Sequence, residues 1–447
     1  MRASYGASPP RKTRVRLRSA YDPEILRLAV PALGALAAEP LYILVDTAIV
    51  GHLGRSQLAA LGAAATVLSV LAMFNFLQYG TTAQVARASG AGEARVARRL
   101  GAQALWLSLA VGLALGLAIA LLARPIVELV GVEGETADYA VTYLRIVSIG
   151  VPSFFLALGG QGYLRGVSEL TSPLVVIVAA NVLNLVLEVL FVYGFDWGIK
   201  GSAWGTAIAQ TCMGLAFVWL IVRRVGRDDL APALGLARRL LSVGKFIFVR
   251  TAALISAFVL AGLVVARLGD AELGAYQISF QLWIFLALLL DAIAIAGQII
   301  VGRELGAGQP RRAYDASVRM ISLSVATGAV FAVVLLALGD VLPRIFTGDP
   351  EVLAQCALLW PIFALMQPLN GAVFALDGIL IGASDGPYIA GSMVAAFLAC
   401  GAALVVASAA GWGIRGVWAA LAVLIVVRLA TMGARFVRRR WLVTGWA

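Results

Sequence analysis

Long apolar stretches alternate with short polar ones along this chain, and their lengths repeat. Stretches of 18 or more apolar residues, each able as a helix to cross a bilayer core of about 30 Å, lie at approximately 24–50, 58–85, 99–123, 136–160, 170–194 and 199–222. A charged segment follows from Arg223 to about Arg239, with Pro232 inside it. Six further stretches occupy roughly 243–267, 273–300, 316–339, 353–380, 387–409 and 413–434. The pattern predicts an all-α integral membrane protein with twelve transmembrane helices, six on either side of a polar linker.

The two sets are copies of one another. Trp197-Gly-Ile-Lys-Gly201 recurs as Trp412-Gly-Ile-Arg-Gly416, and His52-Leu-Gly54 as Arg267-Leu-Gly269, at an offset of about 215 residues. Gly90-Ala-Gly92 and Gly306-Ala-Gly308 share that offset to within about one residue, as do Tyr163-Leu-Arg-Gly166 and Ile379-Leu-Ile-Gly382. Unrelated segments at one offset identify a duplicated unit. An even number of crossings per copy makes the repeats parallel, with a cavity where they meet. The expected organisation is a disordered basic cytoplasmic arm over about 1–22, an N-lobe over 23–224, a cytoplasmic linker over 225–240, a C-lobe over 241–440 and a tail over 441–447.

Composition agrees: the 447 residues are 61% hydrophobic and 13% charged, about half the charged fraction of a soluble protein. The net charge of +11 is unevenly placed. Cations cluster in the arm (Arg2, Arg11, Lys12, Arg14, Arg16, Arg18), from Arg87 to Arg99, from Arg223 to Lys245, from Arg303 to Arg319 and from Arg435 to Arg440. The intervening loops hold single ones: Arg55, Arg124, Lys200, Arg267, Arg344 and Arg415. Cationic clusters mark the cytoplasmic side. The chain is therefore expected to be multi-pass in a cell (inner) membrane with both termini cytoplasmic. The basic excess reads as topology and contact with anionic membrane lipids, not nucleic acid.

Cys212, Cys356 and Cys400 lie in apolar segments without CxxC or Cys/His spacing, so neither a disulfide framework nor a zinc or other metal site is implied. No G-x-x-x-x-G-K-[ST] occurs, so no cofactor or nucleotide is expected and energy must come from an ion gradient. The loops are short and carry no catalytic constellation, which argues against an enzyme such as a membrane-embedded transferase. His52, at the end of the first span, reads as a surface residue; Arg145 and Arg250 read as snorkelling or pairing with an acid.

Against this background four acids stand out. A carboxylate near the bilayer centre costs about 2.5–3.5 kcal/mol, and the predicted spans hold Asp46, Glu188, Asp291 and Asp377. Glu39, Tyr42 and Asp46 share one helical face of the first span; Asn181, Asn184 and Glu188 repeat that spacing in the fifth. Acids with amide and phenol neighbours suit reversible proton binding. The plainer reading is interhelical hydrogen bonding at about 0.6 kcal/mol per bond, which rarely needs an ionisable group. In the second half, Gln277, Gln281, Asp291 and Gln298 follow the eighth span, and Gln367, Asn370 and Asp377 an arc of the tenth. With Phe374 one turn from Asp377, these are candidate cavity residues for a lipophilic cation. The alternative is that Asp291 and Asp377 are paired acids stabilising the bundle. Pro31 removes a backbone hydrogen bond within the first span and is a candidate hinge.

The segment from Glu39 to Gly54, EPLYILVDTAIVGHLG, resembles the first-helix signature of the multidrug and toxic compound extrusion (MATE) family, in its DNA-damage-inducible protein F branch. Gln84 to Gly92, Gln161 to Gly166, Asn184 to Phe191, Gly194 to Thr206 and Asp377 to Gly382 support the resemblance, which extends over about 24–440. It implies two pseudo-symmetric six-helix lobes around a V-shaped cavity, and antiport in which cation entry drives efflux of amphipathic, often cationic small molecules from a monomer. Asp46 matches the family's first-helix coupling acid, Asn184 and Glu188 its fifth-helix cluster, with Tyr42 and Thr206 alongside. Pro31 matches a bending point, and Asp377 a tenth-helix acid. Two departures are informative: the fifth-helix acid is commonly Asp, and the seventh span has no acid between Phe246 and Ala266. The second favours H+ over Na+ as the coupling ion. A lipid or lipid-linked saccharide flippase on a related scaffold is the rival, and would be expected to line its cavity with several cations.

Overall fold

The computed structural model describes residues 19–446; the basic cluster before Ser19 lies outside them. The helices are α1 (Asp22–Gly51), α2 (Arg55–Gly90), α3 (Ala94–Leu129), α4 (Gly134–Val147 with Val151–Gly166), α5 (Thr171–Gly194) and α6 (Ile199–Val225). The second set is α7 (Leu234–Val265), α8 (Asp270–Gly306), α9 (Pro310–Ala337), α10 (Pro350–Leu365 with Gln367–Gly382), α11 (Gly386–Ala409) and α12 (Gly413–Val437). Each predicted span falls in one of these elements. Several helices run further than their apolar stretch: α3 begins at Ala94 and α9 at Pro310, and their first turns carry Arg95, Arg98 and Arg99, and Arg311 and Arg312. Hydropathy sees only the membrane part of such a helix. The linker is shorter than expected for the same reason, because α7 already begins at Leu234.

Two elements are bent, and they are equivalent by the repeat. α4 bends by 52° and α10 by 49°. In each the second half opens with a proline, Pro152 and Pro368, which has no N–H to continue the ladder across the break. By contrast α1 runs as one helix through both Pro31 and Pro40.

The copies meet about a pseudo-two-fold axis at the basic end of α2 and α8. A Cβ on Gly90 would lie 2.0 Å from the carbonyl oxygen of Arg303, and one on Gly306 would lie 2.1 Å from that of Arg87. These reciprocal contacts let two backbones touch, as small residues do between helices in lipid. Around them Asp22 takes a two-point grip from Arg319 (2.6 and 2.7 Å) and Glu24 pairs with Arg303 at 2.7 Å. The linker is strapped to α3. Gln103 bonds Ala231 O and Ala233 N at 3.0 and 2.8 Å, and Arg95 and Arg98 both hold Asp229 at 3.1 Å. Those guanidiniums, Arg95 foremost, keep the Asp229 carboxyl below the usual carboxylate range.

Candidate coupling and substrate sites

In the N-lobe, α1, α5 and α6 bring two acids to one hydroxyl. Asp46 is 5% exposed although Val45 and Thr47 beside it are exposed, so the side chain points into the lobe from a helix whose other faces are apolar and outward. Ser202 Oγ lies 2.6 Å from Asp46 Oδ1 and 3.4 Å from Glu188 Oε1. A hydroxyl has one hydrogen to donate. It can serve one carboxylate; the second close contact is favourable only when a carboxyl carries a proton of its own. The arrangement is a candidate site for a proton shared between Asp46 and Glu188.

The surrounding residues fix that site. With its amide oriented to satisfy both ends, Asn184 Nδ2 donates to Glu188 Oε1 at 3.2 Å and its oxygen accepts from Thr206 N at 3.0 Å. Tyr42 and Thr206 hydroxyls meet at 2.9 Å, and Tyr143 of α4 lies beside Ser202 and Thr206 facing both acids. Glu188 is fully buried and its Oε2 has no hydrogen-bond partner among the described residues. Gly205 makes room for the acid: a Cβ there would lie 3.0 Å from Glu188 Cγ. Asn181 stands apart and ties α5 to α1 by donating to Ala38 O at 2.8 Å. Glu39 does not join the cluster; it is exposed.

In the C-lobe the expected free acids are not free. Asp377 Oδ2 accepts from Arg250 Nη2 at 2.5 Å and from Arg428 Nη2, so α7, α10 and α12 are pinned at one buried carboxylate. Asp291, half-buried on α8, accepts from the Tyr79 hydroxyl of α2 at 3.1 Å and faces Arg250 and Arg165. Gln298 Nε2 donates to Tyr79 O at 2.6 Å, a second bond between the lobes. Gln367 and Asn370 are buried at the bend of α10, Gln367 donating to Phe363 O (2.9 Å) and accepting from Asn370 (3.2 Å). Gln277 and Gln281 are exposed. Gln277 borders a cavity of about 380 Å³ with Leu254, Phe258, Tyr276, Phe280 and Trp283. Phe374 packs against Trp283, ring centroids 6.3 Å apart. The sequence reading anticipated a partner for Arg250 but did not single out Ser202, Tyr143, Tyr79, Arg165 or Arg428. A charge inside an apolar span was the available signal for the two arginines; the hydroxyls leave none.

A search of family models gives the deciding observation. The MatE family matches residues 31–190 and again residues 247–407, two units at the offset of the internal repeat. The chain belongs to the MATE family. It is accordingly a multi-pass membrane transporter and not an enzyme. Protein DETOXIFICATION 44, chloroplastic, of Arabidopsis thaliana is 31% identical over 420 residues, covering 91% of this chain and 80% of that protein. DNA damage-inducible protein F of Escherichia coli (strain K12) is 31% identical over 435 residues, covering 94% and 93%. Multidrug resistance protein PmpM of Pseudomonas aeruginosa is 27% identical over 93% of this chain and 92% of its own. The fold matches a MATE crystal structure in the bent conformation with TM-score 0.86 at 20% identity, over 93% of this chain and 94% of that one.

Proposed function

We propose that this MATE protein is a proton-coupled antiporter of the DNA-damage-inducible protein F type. It exports amphipathic small molecules across a cell (inner) membrane by alternating access, with both termini cytoplasmic. The observation that carries the reading is the convergence of Asp46 and Glu188 on the single Ser202 hydroxyl. A bound proton relieves the repulsion between the two acids and lets α1, α5 and α6 close on one another; without it they are driven apart. A ligand changes a conformational equilibrium only through different affinities for its two states, and this pair supplies that difference for H+. Substrate held between the lobes then exchanges with the proton without touching it.

The test is efflux of a fluorescent amphipathic dye from proteoliposomes under separately imposed proton and sodium gradients. Proton-driven efflux that falls at least about tenfold in Asp46→Asn, with the variant still folded, supports the assignment. A response to sodium alone keeps antiport and replaces the ion. Two buried arginines, Arg165 and Arg428, and the half-buried Arg250 favour the flippase reading in one respect, since a cavity for lipid-linked pyrophosphate was expected to hold cations. Dye movement under neither gradient, in well-folded protein, would shift the function to lipid translocation.

A further inference from the structure

We infer that the C-lobe binds the negatively charged head of an amphipathic organic anion at Arg250, between Arg165 and Arg428, with the aromatic body of that anion in the groove between α7 and α8. The inference rests on the antiporter reading and names the class of its substrate. It reverses the charge that the acids alone suggest.

The charge count comes first. Three guanidiniums, of Arg165, Arg250 and Arg428, face two carboxylates, Asp291 and Asp377, which leaves positive charge in excess. Arg165 is 3% and Arg428 1% exposed. A cluster built only for stability would balance its charges and satisfy its donors, because a buried unpaired donor is costly. Here Arg165 Nη1, Arg250 Nε and Arg428 Nε are buried with no hydrogen-bond partner among the described residues, three donors against the one acceptor, Asp377 Oδ1, left in the same state. The one bond described for Arg165 is long, 3.4 Å to Gln161 Oε1. Planar guanidiniums with spare N–H groups match a carboxylate, and a cation at this place would meet like charge.

A groove lies beside the cluster. Arg250, Leu254 and Phe258 recur every fourth residue along one face of α7, and the last two line the 380 Å³ cavity. On α8, Phe280 of the same cavity lies about three turns from Asp291 on one face. Phe374, in contact with Trp283 of the cavity, is one turn from Asp377. Tyr276, Phe280 and Trp283 follow one another along α8, with Phe280 and its two neighbours near-parallel at 5.9 and 6.3 Å. An aromatic groove one helical turn from the half-buried guanidinium of Arg250, which Asp377 holds through one nitrogen, suits a flat apolar body carrying an acid group. Gln277 at its border supplies a polar contact.

Fluorescein and rhodamine 6G share a xanthene body and carry opposite charge, so equilibrium fluorescence polarisation on the purified full chain separates the alternatives. The dianion is expected to bind more tightly than the cation. Arg250→Gln should weaken fluorescein binding about tenfold or more, the loss of one charge-assisted contact. Asp377→Asn removes a competing carboxylate and should tighten it; Asp291→Asn tests the same sign if the first variant does not fold. Opposite signs from Arg and Asp are what a merely structural ion pair would not give. Preference for rhodamine 6G, an unchanged affinity in Arg250→Gln, or weakening in both classes of variant would overturn the inference. So would displacement by micellar phosphatidic acid but not by naphthalene carboxylate, which would assign the site to lipid. Binding is read without any gradient. Loss of proton-driven efflux in Asp46→Asn alongside absent fluorescein binding would therefore leave the antiporter standing and the anion site refuted.

Discussion

At the scale of single residues, the candidate coupling site shows what an apolar background reveals and what it hides. Asp46, Glu188, Asn184 and Tyr42 were legible because ionisable and amide groups are costly in a span and fell at helical spacing. Ser202 and Gly205 were not: serine and glycine are ordinary in membrane helices, and only the packing of α6 on α5 gives them a role. Gly205 carries a quantitative prediction. A Cβ there would press on Glu188 Cγ at 3.0 Å and on its backbone N at 3.2 Å, so Gly205→Ala should destabilise the protein by about 1–3 kcal/mol. Trimming the acid back to its Cβ in the double variant Gly205→Ala with Glu188→Ala removes the contacted Cγ and should recover part of that loss. Thermal unfolding of the two singles and the double measures the coupling; strictly additive effects would mean that Gly205 does not make room for the glutamate. Asp377 is the converse case. Its spacing beside Gln367 and Asn370 suggested a cavity face, and its partners are Arg250 and Arg428, 127 and 51 residues away in sequence. Periodicity along one helix cannot show what two other helices bring to it.

At the scale of elements, the duplicated pattern predicted all twelve crossings, because hydropathy reports what lies in lipid. The bends of α4 and α10 lay beyond it, although Pro152 and Pro368 mark both. A proline is also present twice in α1, which is not broken. What separates the cases is position: Pro152 and Pro368 begin a helix, whereas Pro31 and Pro40 sit inside one and each deprives a carbonyl four residues earlier of its donor. A helix so weakened bends at low cost, which is the proposed use of Pro31. Pro31→Ala gives Arg27 its hydrogen-bond donor and should raise the thermal midpoint while slowing proton-driven efflux several-fold, an effect of about 1 kcal/mol on the bent state. Efflux at the parent rate with a raised midpoint would remove the hinge role and leave only the stability effect. The linker strap does not confuse such measurements. Because Arg95 and Arg98 depress the Asp229 carboxyl, its contribution is present above the ordinary carboxylate range and is lost only as pH falls through the lowered value. A response of transport near neutral pH therefore arises elsewhere.

For the whole molecule, the contacts between lobes are concentrated at the basic end, and that distribution sets which way it opens. Besides the Asp22–Arg319 and Glu24–Arg303 pairs, Arg87 of α2 donates to Ala383 O at 3.0 Å, to Val443 O at 2.8 Å and to Gly445 O at 2.6 Å. Gly445 N returns a bond to Leu305 O at 3.0 Å, and Trp446 stacks on Arg239 with 4.0 Å from guanidinium to ring centre. The C-terminal segment is thus laid across the seam, held by both lobes. Under the proposed alternating access this clasp must break once per cycle, so its strength must be modest. Partly exposed ion pairs are individually worth about 0–1 kcal/mol, two-point arginine grips somewhat more. Asp22→Asn with Glu24→Gln should therefore shift the equilibrium towards opening at this end by about five- to thirtyfold, and not abolish folding. Ala383→Cys reports the change, since Ala383 is buried in the seam. In a Cys212→Ser background the remaining cysteines, Cys356 and Cys400, are buried. Maleimide labelling of Ala383→Cys should accelerate in the double variant and slow again when external pH is lowered to load the Asp46–Glu188 pair. Faster labelling that ignores the proton would mean that the seam opens independently of the N-lobe acids. The clasp would then be a structural closure, and coupling would have to act at the other end of the cavity.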